Sequence, residues 1–105
     1  MTTLPGNWIL TIRTPIGAIE AHLTFSGDDG AITGTATGQF ETVDLVDVRA
    51  SPTDQGERVT WMQLITKPVR LNLEFDVVVE GDTMRGFSRA GRLPKSAVTG
   101  DRSLG

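Results

Sequence analysis

Gly6-Asn7-Trp8-Ile9-Leu10-Thr11-Ile12-Arg13-Thr14 is the stretch on which the reading of this chain turns. Apolar and polar residues alternate in it, and side chains of a β-strand point to opposite faces with period two. Trp8, Leu10 and Ile12 therefore share one face of a strand running from about Trp8 to Thr14. Thr14-Pro15-Ile16-Gly17 follows, with proline and glycine where a tight turn needs them. Ala18 to Ser26 alternates again, with Ile19, Ala21, Leu23 and Phe25 on one side and Glu20, His22 and Thr24 on the other. Setting Thr14 against Gly17 places Ile12 opposite Ile19, Leu10 opposite Ala21 and Trp8 opposite Leu23. The apolar groups then all fall on one side, and a slip of one residue would turn the whole set to the wrong face.

The pattern continues outward from this hairpin. Gly27-Asp28-Asp29-Gly30 reads as a turn. Ala31 to Thr37 is a third strand whose inner face, Ile32, Gly34 and Ala36, is small enough for tight curvature. Thr42 to Ala50 is a fourth, and there the alternation breaks: Val43 and Leu45 have one parity, Val46 and Val48 the other. A bulge or burial of both faces accounts for this equally well. Arg58 to Ile65 turns Val59, Trp61 and Gln63 inward. Arg70 to Glu80 turns Leu71, Leu73, Phe75, Val77 and Val79 inward, with Arg70, Asn72, Glu74 and Asp76 outside. Gly81-Asp82 makes a two-residue hairpin loop. Thr83 to Ala90 then pairs Met84 with Val79, Gly86 with Val77 and Ser88 with Phe75. Arg89 falls opposite Glu74 on the outside, a pair worth about 0.2–1 kcal/mol. Ser96 to Arg102, with Val98 inward, is the last strand.

Eight strands, short connections and no helical period predict an all-β fold: an eight-stranded antiparallel up-and-down β-barrel, because closure removes the exposed edges of an open sheet. An open Greek-key sandwich is the alternative. A chain of 105 residues is expected to form a single domain over its whole length. The motifs point the same way. Gly-x-Trp at Gly6–Trp8, Thr-Pro-x-Gly, Thr-Gly-Thr at Thr33–Thr35, the run Pro68–Phe75, Glu80–Gly86 and Thr-Gly-Asp-Arg at Thr99–Arg102 together resemble the calycin barrels, in particular small bacterial lipocalin-like or streptavidin-like domains. The resemblance implies that Trp8 seals a closed base and that Arg102 of the last strand packs over its indole, a planar cation on the ring's negative face. The chain departs from typical lipocalins in its short length, in lacking their flanking helix and in lacking disulfides. It carries no biotin-site set, so biotin binding is not implied.

Composition removes several function classes. The net charge of −3 argues against a nonspecific nucleic-acid binder. There are no cysteines, so no disulfide or thiolate zinc site, and the single histidine, His22, rules out a His-rich metal centre. No cofactor is expected. Met1–Pro5 lacks the basic and apolar regions of a signal peptide, and no apolar run reaches membrane-spanning length. A cytoplasmic protein without nucleic-acid or membrane partners is the expectation.

An eight-stranded barrel is just wide enough to be filled or to hold one small ligand. Small residues at Ala21, Gly34, Ala36, Gly86 and Ala90 are expected to leave room inside. Thr14, Gln63, Ser88 and Arg102 are the inward polar candidates. Gln63 is either a satisfied core amide or an orienting hydrogen bond to a ligand. Ser88 has no inward base beside it to make it a nucleophile. His22 is expected on the outer face, opposite Ile9 and Thr35, and Glu20 and Asp76 are surface carboxylates. Asp44 and Asp47 are left open by the ambiguous fourth strand.

Connections alternate between the two ends of such a barrel. The Trp8 end collects Asp28, Asp29, Asp54, Glu57, Glu80, Asp82 and Asp101. The other collects Arg13, Lys67, Arg70, Arg89, Arg92 and Lys95, with Glu41 a lone acid, inside an apolar lip of Pro15, Ile16, Phe40, Leu93 and Pro94. Such a mouth suits a small apolar or amphipathic molecule, including an anionic one. The expected ligand-binding set is Trp61, Gln63, Phe75, Ser88, Phe40, Lys67 and Arg92. Two alternatives stand beside it. One is a cofactor-independent isomerase, cyclase or lyase using Gln63, Ser88 and a carboxylate of the fourth strand. The other is a structural or interaction module with a filled core. Met62, Leu64 and Phe87, with Val78 nearby, point outward together and suggest a homodimer face.

Overall fold

In the computed structural model the described residues are 4–14, 17–28, 31–38, 41–66 and 70–103. They build eight strands: β1 (Gly6–Thr14), β2 (Gly17–Asp28), β3 (Ala31–Thr37), β4 (Thr42–Thr53), β5 (Gly56–Ile65), β6 (Leu71–Glu80), β7 (Thr83–Ala90) and β8 (Ser96–Arg102). Each pairs antiparallel with the next, and β8 closes onto β1, giving an up-and-down barrel with no free edge. No helix among these residues is long and apolar enough to cross a membrane.

The first hairpin has the expected register, Trp8 opposite Leu23, Leu10 opposite Ala21 and Ile12 opposite Ile19. So does the hairpin of β6 and β7, with Phe75 opposite Ser88 and Glu74 opposite Arg89. Strand ends differ. β2, β4 and β5 run further than their apolar patterns, through Asp28, through Thr53 and from Gly56. The pairing of β2 with β3 continues to Asp28 opposite Ala31, which sets His22 against Thr37 rather than Thr35. A shift of two residues leaves every side chain on its face, so the inner surface is unchanged.

The broken alternation of β4 is a bulge. Val46 pairs with Met62 and Arg49 with Thr60, so Asp47 and Val48 together oppose the single residue Trp61. Asp47 takes φ of 53°, the left-handed region that aspartate tolerates better than most residues. The extra residue inverts parity. Leu45 is buried before the bulge, and Val48 and Ala50 pack against the core after it.

The core runs along the barrel axis. Leu10, Leu23, Phe25, Val59, Trp61, Phe75, Val77, Val79, Met84 and Val98 are all buried. Ile19 has inward parity but is 53% exposed. It lies two residues from the start of β2, opposite the half-buried Ile12.

Candidate functional site

One end of the barrel is sealed. Arg102 pairs with Trp8 across β8 and β1, and its guanidinium lies 4.4 Å from the indole centroid. Its Nε donates to Asp82 Oδ1 at 2.8 Å and its Nη1 to the Pro5 carbonyl at 2.8 Å. Trp8 Nε1 donates to the Leu4 carbonyl at 2.8 Å, and Leu4 itself is fully buried. Leu4 precedes the first strand, so no strand periodicity marks it. A lone apolar residue four positions before an inward tryptophan is the signal that was there to find.

The middle of the barrel is filled by aromatic rings. Trp61 lies parallel to Phe75, with centroids 5.0 Å apart and planes 6° apart, and meets Phe25 edge-on at 5.4 Å. At Gly34 and Gly86, two of the residues expected to leave room, and at Gly100, a neighbour stands close. A methyl group at Gly34 would lie 2.6 Å from the Thr24 carbonyl oxygen and 3.0 Å from Leu45; at Gly100 it would lie 2.8 Å from Met84 and 3.1 Å from Leu10. At Gly86 it would overlap the Asp76 carbonyl and come within 2.6 Å of Val77 Cα. These glycines admit a neighbouring chain or side chain rather than a ligand.

Polarity enters the interior above this aromatic layer. Gln63 and Ser88 are the buried polar residues among those described, 6% and 4% exposed. Gln63 Oε1 accepts a hydrogen bond from Trp61 Nε1 at 2.9 Å, which fixes the indole and the carboxamide together. The Gln63 amide nitrogen and the Ser88 hydroxyl have no such bond among the described residues. Among the described residues every fully enclosed side-chain nitrogen or oxygen is bonded, so neither of these atoms is fully enclosed. Half-buried apolar residues surround them: Leu73 opposite both Gln63 and Ala90, Ile12 beside Val98, Val43, and Ile65 paired with Leu71. Half-buried apolar residues and two buried hydrogen-bonding groups thus share the inner surface toward the open end.

The rim of this end is partly tied together. Glu41 accepts from the Thr66 amide at 2.6 Å and from the Thr66 hydroxyl at 2.8 Å, joining the β3–β4 connection to the end of β5. The expected set is thus brought together in part: Trp61, Gln63, Phe75 and Ser88 are contiguous on the inner surface, and Arg92 is exposed between β7 and β8. Phe40 and Lys67 lie outside the described residues, as do Pro15 and Ile16. Thr14 closes its own turn, its hydroxyl donating to the Gly17 carbonyl at 2.7 Å.

Two of the basic residues assigned to the mouth face elsewhere. Arg89 and Lys95 line a groove of about 430 Å³ on the outer face of β4–β7, with Asp47, Arg49, Met62, Glu74 and Phe87. Lys95 Nζ sits 5.3 Å from the Phe87 ring centroid. The ion pair of this wall is Arg58 with Asp76, at 2.6 Å, and not Arg89 with Glu74. Hydrogen bonds from the Arg58 guanidinium hold the Asp76 carboxyl below the usual carboxylate range, against a weaker desolvation effect. Asp44 and Asp47 are both exposed, so the catalytic alternative gains no inward carboxylate from β4. His22 is exposed too, 3.2 Å from Glu20 on the outer face.

Compared with known proteins, the chain matches no family model, no curated protein and no solved structure.

Proposed function

We propose that this chain is a calycin-like barrel that binds a small apolar or amphipathic molecule at its open end. One observation carries the reading. On an inner surface that is otherwise apolar, the Gln63 amide nitrogen and the Ser88 hydroxyl keep hydrogen-bonding capacity that no neighbour among the described residues uses. Both can donate to a carbonyl or carboxylate oxygen of a bound molecule. The half-buried ring of Ile12, Val43, Ile65 and Leu73 offers the apolar part a wall. Exposed Arg13, Arg70 and Arg92 near that end favour an anionic head group. The ligand lies high in the barrel, because the Phe25, Trp61 and Phe75 rings occupy the layer beneath. The sealed Trp8–Arg102 base supports the calycin assignment.

Titration with decanoate and with anilinonaphthalene sulfonate, followed by tryptophan fluorescence, tests the reading. Saturable binding of either probe is expected. Ser88→Ala combined with Gln63→Leu removes two hydrogen bonds worth about 1 kcal/mol each, so the affinity should fall roughly thirtyfold. Binding that never saturates, or that ignores the double substitution while the circular dichroism stays unchanged, refutes it. A filled-core interaction module is the second reading, favoured by the occupied space at Gly34, Gly86 and Gly100. Under it neither probe saturates, and the outer groove is the working surface.

A further inference from the structure

We propose that the outer face of β4–β7 docks a second copy of this chain across a two-fold axis. The floor of the groove carries the half-buried Met62 and Phe87, 52% exposed with Lys95 over its ring, beside Thr60 and the Arg58-paired Asp76. Single exposed apolar residues are ordinary, but here they share one concavity of about 430 Å³.

The charges around this floor identify the occupant. Arg49, Arg89 and Lys95 stand on the rim beside Asp47 and Glu74. None of the five joins an ion pair among the described residues, where the pairs are His22–Glu20, Arg58–Asp76, Arg85–Glu80 and Arg102–Asp82. Glu74 and Arg89 are even opposite one another in the register and still do not pair. A surface of a single sign leaves part of this rim unanswered: an anionic membrane or nucleic acid does not match the two carboxylates, and an all-cationic partner does not match the three basic residues. In a two-fold contact the patch meets itself, so only a patch carrying both signs is complementary to its own copy.

The bulge of β4 supports this. Leu45 points inward, so unbroken alternation would also turn Asp47 and Arg49 inward. The extra residue, with Asp47 at φ of 53°, instead leaves both charges exposed at the groove wall while Val48 and Ala50 pack inside. Backbone strain of this kind collects where a surface is shaped for use.

Sedimentation velocity over a concentration series is the test. The wild type is expected to dimerise reversibly, and added salt to weaken the dimer. An acidic-rim variant, Arg49→Glu with Arg89→Glu and Lys95→Glu, should be monomeric. A basic-rim variant, Glu74→Lys with Asp47→Asn, should be weakened at least tenfold. Mixed in equal amounts, the two should form a one-to-one heterodimer, which also establishes that both are folded. Phe87→Ser, a single exposed change, should give monomers if either charge variant fails to fold. A wild type that stays monomeric at the highest concentration, folded variants that do not combine, or a Phe87→Ser dimer of wild-type strength overturns the proposal.

Discussion

Removal of the Trp8 side chain is expected to open the base of the barrel. Trp8 is fully buried and makes three separable contributions. Its ring fills the closed end, and truncating a core aromatic to alanine costs about 3–5 kcal/mol. Its Nε1–H donates to the carbonyl of the fully buried Leu4, a hydrogen bond worth about 0.5–1.5 kcal/mol. Its face holds the Arg102 guanidinium, whose side chain is 19% exposed, a contact worth about 0.5–2 kcal/mol. These overlap, so Trp8→Ala should lose about 3–5 kcal/mol in total, a large share of the roughly 5–15 kcal/mol that holds a small domain folded. Trp8→Phe separates the contributions: a ring remains for Arg102, and the loss should be about 1–3 kcal/mol, from the lost Nε1–H hydrogen bond and the smaller ring. Urea denaturation followed by far-ultraviolet circular dichroism measures each variant, and Trp61 remains as an internal fluorescence probe. A double-mutant cycle with Arg102→Met isolates the stack from the bonds that Arg102 makes to Asp82 and Pro5, and should return a coupling of about 0.5–2 kcal/mol. A loss under about 1 kcal/mol for Trp8→Ala would mean that the ring is not the plug of the base, since no core tryptophan is removed so lightly. Zero coupling would dismiss the stack.

Three further outcomes test other parts of the fold. Gly86→Ala drives a methyl group into the Asp76–Val77 backbone of the adjoining strand, so it should cost at least the 1–3 kcal/mol typical of overpacking and show as a lowered urea midpoint. Asp76 has its carboxyl pKa depressed by Arg58, so its contribution to stability is complete above the unfolded aspartate value of about 3.9 and is lost as pH falls through the lower folded value. Denaturation midpoints measured from neutral to strongly acidic pH should therefore decline less steeply below about pH 4 in Asp76→Asn than in wild type, and an unchanged slope would discount the ion pair. Glu41→Gln weakens the carboxylate hold on the Thr66 amide, so that amide should exchange with deuterium faster while exchange in β1 and β8 stays the same.

How much of this was legible in the sequence depends on how far period two reaches. It carried β1, β6 and β7 almost to the residue, because Trp8–Ile12 and Leu71–Val79 alternate without interruption and the Gly81-Asp82 turn fixes the second register. It placed Trp61, Gln63, Phe75 and Ser88 on one inner surface for the same reason. It did not decide β4, where one left-handed residue inverts parity and leaves only a pattern compatible with two explanations. Leu4 lies ahead of any strand. The Glu41–Thr66 link and the seat of Lys95 over Phe87 involve long side chains reaching beyond their own ladder, which residue spacing does not record. Gly34 and Gly86 were illegible in a different way. Composition gives the volume that a side chain lacks, but not which neighbour moves into it.

That last point bears directly on what the barrel can hold. A glycine on an inner face has two uses, to widen a cavity or to let the opposite chain approach, and the two predict opposite interiors. Here the approach distances decide for the second. The Asp76–Val77 backbone closes on Gly86, Leu45 and Phe25 close on Gly34, and Met84 and Leu10 close on Gly100. Leu4, Trp8, Leu10, Val77, Val79, Met84 and Val98 are buried inside, and the Phe25, Trp61 and Phe75 rings pack against one another. Among the described residues the buried polar groups are Gln63 and Ser88. Under the proposed ligand reading, selectivity would rest on Gln63, whose carboxamide the Trp61 hydrogen bond holds with its nitrogen left over. Ser88→Ala should then alter binding with little effect on folding, whereas Gln63→Leu also frees the Trp61 indole N–H and should cost about 1–3 kcal/mol of stability. Substitutions among the buried apolar residues should do the reverse of Ser88→Ala, and that contrast separates a site from a core.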